Sequence, residues 1–162
     1  MFTIERINRQ VFELSDTTEG RRSTLQFKGW SRNKADFSLP DGSRWSIRPK
    51  NWWGHCLLIY REGEVCGQIK LNWKGRLEIQ LQTTAQRFVL KQRNFLSRQF
   101  SLYDEHQAEW LRIAQKMNWS RLHRDFEVEQ ATGLTPRAGW ELLLLLSLFG
   151  IQFREAQMAA AG

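Results

Sequence analysis

The sequence predicts a mainly β fold, a closed antiparallel β-barrel of about twelve strands enclosing a hydrophobic C-terminal α-helix. Three observations carry this reading. Apolar and polar residues alternate in short runs from residue 1 to about 103. The run Leu142 to Leu146 then sets leucines at successive helical steps of about 100°, which leaves a helix there without a polar side. Finally, 162 residues with 41% hydrophobic and 12% aromatic side chains suit one domain with a substantial core, and exclude disordered and collagen-like chains.

Candidate strands cover 2–7, 10–15, 24–29, 34–39, 44–49, 56–61, 65–72, 76–82, 86–92 and 98–103. Turn chemistry proposes their registers. An odd-length loop around Pro40-Asp41-Gly42 pairs Leu39 with Trp45, Phe37 with Ile47 and Ala35 with Pro49. With Glu62-Gly63 as a two-residue loop, Tyr60 faces Val65, Ile59 faces Cys66 and Arg61 faces Glu64, so Cys56, Leu58, Tyr60, Val65, Gly67, Ile69 and Leu71 share the apolar side. The loop Trp73-Lys74-Gly75, with glycine at its left-handed position, pairs Leu71 with Leu77, Ile69 with Ile79 and Lys70 with Glu78. A turn through Thr84-Ala85 then aligns Leu81 with Phe88, Ile79 with Leu90 and Glu78 with Lys91. A sheet of about ten such strands must curl or close to hide its apolar face and its edges.

Beyond residue 103, segment 108–116 reads as a short helix or a strand, and Leu122 to Glu129 alternates as a strand. Thr135-Pro136 resembles a helix start, with Thr135 as cap and Pro136 at the first helical position. Burying each leucine that follows stabilises by about 1.5–3 kcal/mol, so the segment has to be surrounded by protein. A barrel lumen satisfies that demand, and a buried strand or an oligomer interface are the alternatives. The expected organisation is one domain over 1–162, with strands in 1–130, the buried helix at about 136–150 and a C-terminal tail at 154–162. Leu142 to Ile151 would rise only ~15 Å as a helix against a hydrocarbon core of ~30 Å, so no transmembrane segment is expected.

Lysine and arginine exceed aspartate and glutamate by a net +7, with 18 basic and 9 acidic side chains in residues 1–103 and 6 and 8 beyond. The first two thirds therefore suit phosphates, on nucleic acid or on an anionic membrane. Cys56 and Cys66 fall on opposite faces of their hairpin, which opposes a disulfide, and their spacing is not that of a zinc site, so inert thiols are expected. Met1 to Arg9 lacks the apolar stretch of a secretory signal, and a cytoplasmic location, extending to the membrane periphery, is expected. Gly-rich phosphate loops, nucleophile elbows and metal-ligand spacings are absent, and His55, His106 and His123 are scattered. Neither a catalytic residue nor a metal or cofactor is implied.

The most suggestive polar feature comes from the proposed register. It sets Asp36 opposite Arg48 as an ion pair, and Lys34 opposite Lys50, a like-charge pair that repels unless an anion intervenes. Arg32, Lys34, Arg44, Arg48 and Lys50, bordered by Trp52 and Trp53, thus form the candidate anion-binding face, for which a solvated strand face is the simpler account.

The Asp41-Gly42 hairpin with Trp45 and Ile47, the hairpin from Leu57 to Leu71, the strand ending Phe126-Glu127-Val128-Glu129 and the run Glu141 to Ile151 resemble the tubby C-terminal, phospholipid scramblase and LURP-one-related superfamily. The resemblance covers most of the chain and rests on the order and pattern of elements. It implies a closed barrel around the terminal helix, phosphoinositide binding as in tubby-like members, and a calcium-dependent lipid role as in scramblases. The chain departs from the scramblase pattern: Asp125, Glu127 and Glu129 alternate along a strand instead of converging in a calcium loop, and no long apolar tail follows. The expected function is a non-enzymatic intracellular binding or scaffold domain for anionic phospholipid head groups. A nucleic-acid-binding basic β-domain is the first alternative, and a small-molecule carrier or enzyme with a hollow barrel the second. No oligomeric state follows from the sequence.

Overall fold

Period-two runs broken by turn residues become twelve strands in a computed structural model of the chain, which describes residues 2–16, 18–29, 31–52, 55–82, 85–94, 98–118, 123–130 and 140–161. In chain order they are β1 (Phe2–Arg6), β2 (Val11–Asp16), β3 (Arg22–Phe27), β4 (Ala35–Ser38), β5 (Arg44–Pro49), β6 (Cys56–Arg61), β7 (Glu64–Leu71), β8 (Leu77–Leu81), β9 (Gln86–Gln92), β10 (Gln99–Asp104), β11 (Glu109–Asn118) and β12 (His123–Gln130), followed by the helix α1 (Trp140–Ala161). Each strand pairs antiparallel with its neighbours in sequence, and β1 pairs with β12 through Thr3 with Glu127 and Ile4 with Phe126. Closure leaves no open edge for another chain to extend. The segment left open between helix and strand is β11, held between β10 and β12.

The registers differ from expectation in three instructive places. At β4–β5, Phe37 faces Trp45 and Ala35 faces Ile47, a slip of two residues from the expected pairs. The turn closes earlier because Leu39 donates its N–H to Ser43, Gly42 takes φ +84°, and the Asp41 carboxylate accepts both the amide and the hydroxyl of Ser43. At β8–β9, Leu81 faces Gln86, Ile79 faces Phe88, Leu77 faces Leu90 and Glu78 faces Val89, again a slip of two. An even slip keeps every side chain on its face, so the apolar set still points inward. At β6–β7, a bulge after Tyr60 and Val65 sets Ile59 opposite Gly67, Leu57 opposite Ile69 and Cys56 opposite Lys70. That single extra residue exchanges the faces of β6: Leu57 and Ile59 are fully buried and Cys56, Leu58 and Tyr60 half-buried, whereas on β7 Gly67 and Ile69 stay inward as expected and Val65 is exposed. The β7–β8 pairs Leu71 with Leu77, Ile69 with Ile79 and Lys70 with Glu78 are present as expected. Both cysteines are free; Cys66 is buried, and burial pushes its thiol up from the ordinary range while the positive charge of Arg61 opposes the shift.

The helix fills the barrel. Leu143 to Leu146, Leu148, Phe149, Ile151 and Phe153 are buried together with inward side chains from strands around the wall, from Ile4 and Phe12 to Ile113 and Phe126. The one buried polar side chain in that stretch, Ser147, returns its hydroxyl to the Leu143 carbonyl at 2.7 Å, which removes the cost of an unpartnered buried donor. Phe149 stacks between Phe27 at 5.5 Å and Phe153 at 6.0 Å, and Phe27 and Phe126 each meet Phe12 edge-on at 6.0 Å. Near the start of the helix, Trp140 lies 5.7 Å from Trp110, whose indole donates to Asp104 at 2.8 Å.

Two helix expectations change. The helix continues through the expected tail to Ala161, where Arg154 and Glu155 are tied to the wall; the cap at Thr135-Pro136 lies outside the described residues. At 22 residues it rises ~33 Å, not ~15 Å, so by length and composition it could cross a membrane, although its apolar side chains from Leu143 to Phe153 pack inside the barrel. With the lumen occupied, the hollow barrel required for an internal carrier or enzyme site is gone.

Candidate anion-binding rim

A closed meander sorts its connections by parity, because every second turn must lie at the same end of the barrel. The connections after β1, β3, β5, β7 and β9 contribute Arg9, Lys28, Arg32, Lys34, Lys50, Lys74, Arg76, Arg93 and Arg98 to one end, and no aspartate or glutamate among their described residues. The opposite end carries Glu19, Asp41, Glu62 and Glu105 against Arg21 among its described connecting residues. The last turns of the helix emerge at the basic end, since Arg154 Nε donates to the Gly75 carbonyl at 2.8 Å and Glu155 accepts from Gln115 at 2.7 Å. Exposed large apolar side chains gather there too: Trp73 at 90%, Trp52 at 83%, Met158 at 53% and Ile7 at 52%.

Within that rim the structure scatters the residues expected to form one anion-binding face. The pairing of Ala35 with Ile47 does not bring Lys34 opposite Lys50. Arg48 donates to Asp36 at 2.7 Å and to the carbonyls of Ala35 and Ile47, and Lys28 lies 3.7 Å from the same carboxylate, so this arginine is neutralised. The Asp36–Arg48 ion pair is therefore present, although Asp36 sits directly across from Ser46. Arg44 begins β5 and Lys50 follows its end, which separates their backbones by roughly 20 Å along the strand. Arg32 folds onto the Phe27 ring at 4.5 Å and donates to the Arg9 carbonyl at 2.6 Å; burial lowers its pKa from the ordinary value. Lys34, Lys50 and Trp52 remain exposed at the basic end, and Trp53 lies outside the described residues.

A more concentrated group escaped the sequence reading. Lys74 and Arg76 from the β7–β8 turn, Lys91 and Arg93 from the end of β9, and Arg154 from the helix line a cleft of about 590 Å³, together with Gly75, Gln92, Asn94 and Tyr103. No carboxylate lines it, and none of its cations forms an ion pair with a described residue. Gly75, at φ +77°, forms the sharp turn that brings Lys74 and Arg76 to the cleft, and a Cβ there would meet Arg154 Nη2 at 3.3 Å. Lys91 rests over the Tyr103 ring at 4.5 Å and Arg154 lies 5.6 Å from the Phe100 ring, contacts that hold cations without consuming their charge. Burial lowers the Arg154 pKa, while the neighbouring Glu155 supports its charge. The useful sequence signal was the absence of acidic residues from alternate connections, visible once the strands are counted.

Among the described residues no group of three His, Cys, Asp or Glu side chains is arranged to hold a metal ion. Comparisons with protein-family models, curated proteins and solved structures found no match. The fold and the site define a barrel with a filled lumen and a cationic, tryptophan-bearing rim.

Proposed function

We propose that the protein is a non-enzymatic intracellular binding domain that docks its basic end on anionic phospholipid surfaces, as a distant relative of the tubby-like barrels. The observation that carries this reading is the coincidence of unneutralised cations with Trp73, Trp52, Ile7 and Met158 at the same end of the barrel. Indoles favour the membrane–water interface, and each lysine or arginine near an anionic surface adds about 1 kcal/mol of attraction. The twelve-stranded wall around a terminal helix supports the kinship.

Vesicle co-sedimentation tests it. The protein is expected to pellet with vesicles containing phosphatidylserine, to ignore phosphatidylcholine alone and to release as salt rises. Replacing Lys34 and Lys50 by Glu removes two attractive charges and adds two repulsive ones, so binding should fall at least about thirtyfold. Trp73→Ala should weaken it independently of salt. Equal partition of wild type and variants, or retention on single-stranded RNA without vesicle binding, refutes the proposal.

A further inference from the structure

We infer that the cleft between the β7–β8 turn, the end of β9 and the helix is a preformed site for a compact anion bearing clustered phosphates, of the pyrophosphate type. This goes beyond membrane docking and stands without it, because the site is a concavity and requires no lipid surface. Its volume of about 590 Å³ falls within the range of about 300–1,000 Å³ common for small-ligand sites. Lys74, Arg76, Lys91, Arg93 and Arg154 reach it from three separate parts of the chain, and no carboxylate lines the cleft beside them. Bringing cations together in this way is unfavourable unless an anion or water shields them.

Charge balance selects the ligand. One carboxylate would leave most of the cleft uncompensated, whereas two linked phosphoryl groups carry roughly three to four negative charges near neutral pH, against five cations. Chemistry points the same way: arginine forks match phosphate oxygens, and lysines serve as point charges beside them. Arg154 is already fixed, with Nε committed to the Gly75 carbonyl, so part of the ordering cost is met before the ligand arrives.

The test is calorimetric titration of the full chain with inorganic pyrophosphate in the absence of vesicles. Saturable one-to-one binding that weakens with salt is expected, with affinity falling about tenfold in Lys74→Gln and again in Arg93→Gln. Both side chains are exposed, so their loss leaves the fold intact; Arg154→Gln, which reaches into the wall, is read by thermal shift with and without pyrophosphate. Parallel titrations with a nucleoside diphosphate and with phosphatidic acid vesicles distinguish a soluble source from a lipid head group, and loss of either in the Lys74→Gln, Arg93→Gln double variant supports the site. Absence of saturable pyrophosphate binding at low ionic strength, or unchanged binding in the Lys74→Gln, Arg93→Gln double variant, overturns it. Pyrophosphate binding without any vesicle binding would retain the cleft and discard membrane docking.

Discussion

Two neighbouring residues on the helix give opposite steric perturbations with the same expected outcome, but only if the helix occupies the lumen. Phe149 is fully buried and stacks against Phe27 and Phe153. Truncation to alanine empties a ring's volume and deletes both pairings, a loss of about 3–5 kcal/mol. At about 2–4 °C per kcal/mol for a domain of this size, the melting temperature should fall by roughly 6–20 °C. Gly150→Ala acts in reverse. On an exposed helix it would stabilise by about 1 kcal/mol. Here the new Cβ would lie 2.9 Å from Leu77 Cδ1 and 3.1 Å from Leu90 Cδ2, two fully packed side chains that must both give way. Overpacking costs about 1–3 kcal/mol, so the net change should be a loss of about 1 kcal/mol. Urea denaturation followed by far-ultraviolet circular dichroism and tryptophan fluorescence measures both, with Met158→Ala on the exposed end of the helix as a control expected within about 0.5 kcal/mol. A Phe149→Ala loss below about 1 kcal/mol, or a stabilising Gly150→Ala, would refute the enclosed helix.

Gly67→Ala should be at least as damaging, roughly 3 kcal/mol by the same denaturation assay, because its Cβ would stand 2.5 Å from the Gln80 carbonyl oxygen in a paired strand that cannot retreat; a change within about 0.5 kcal/mol would contradict the close β7–β8 approach. Acid should weaken the fold in a defined window. The Ser43 hydroxyl and amide hold Asp41 below its usual 3.8, and at Asp104 burial pushes upward but hydrogen bonds from Trp110, Ala108 and His106 outweigh it. Carboxyls depressed in the folded state stabilise it above their unfolded value and lose that contribution as pH falls through the folded one. The urea midpoint should therefore be level from neutrality to about pH 5 and decline below about pH 4, less steeply in Asp41→Asn; parallel acid limbs for variant and wild type would count against this source.

How much of this was legible along the chain is clearest at β4–β5 and β6–β7. Strand positions, and the apolar sets Ala35 with Phe37 and Trp45 with Ile47, followed from alternation alone, because period two fixes which side chains share a face. The pairing itself did not, because the choice between two registers of equal parity was made by the hydrogen bonds of Asp41 with Ser43 inside the turn. The bulge that buries Leu57 and Ile59 left no mark in the pattern, since an inserted residue alters only which strand face meets the core. The candidate face built on the register inherited its error, whereas Asp36 and Arg48 still met because long side chains reach diagonally across strands.

The sequence by itself determined that short alternating strands would share one apolar face, and that a leucine-sheathed segment without a polar side would have to be enclosed. Only the tertiary structure decided that Lys74, Arg93 and Arg154 line the same cleft. The reason is physical: alternation is set by neighbouring residues, whereas convergence of charges distant along the chain requires the sheet to close and the helix to seat at a particular depth.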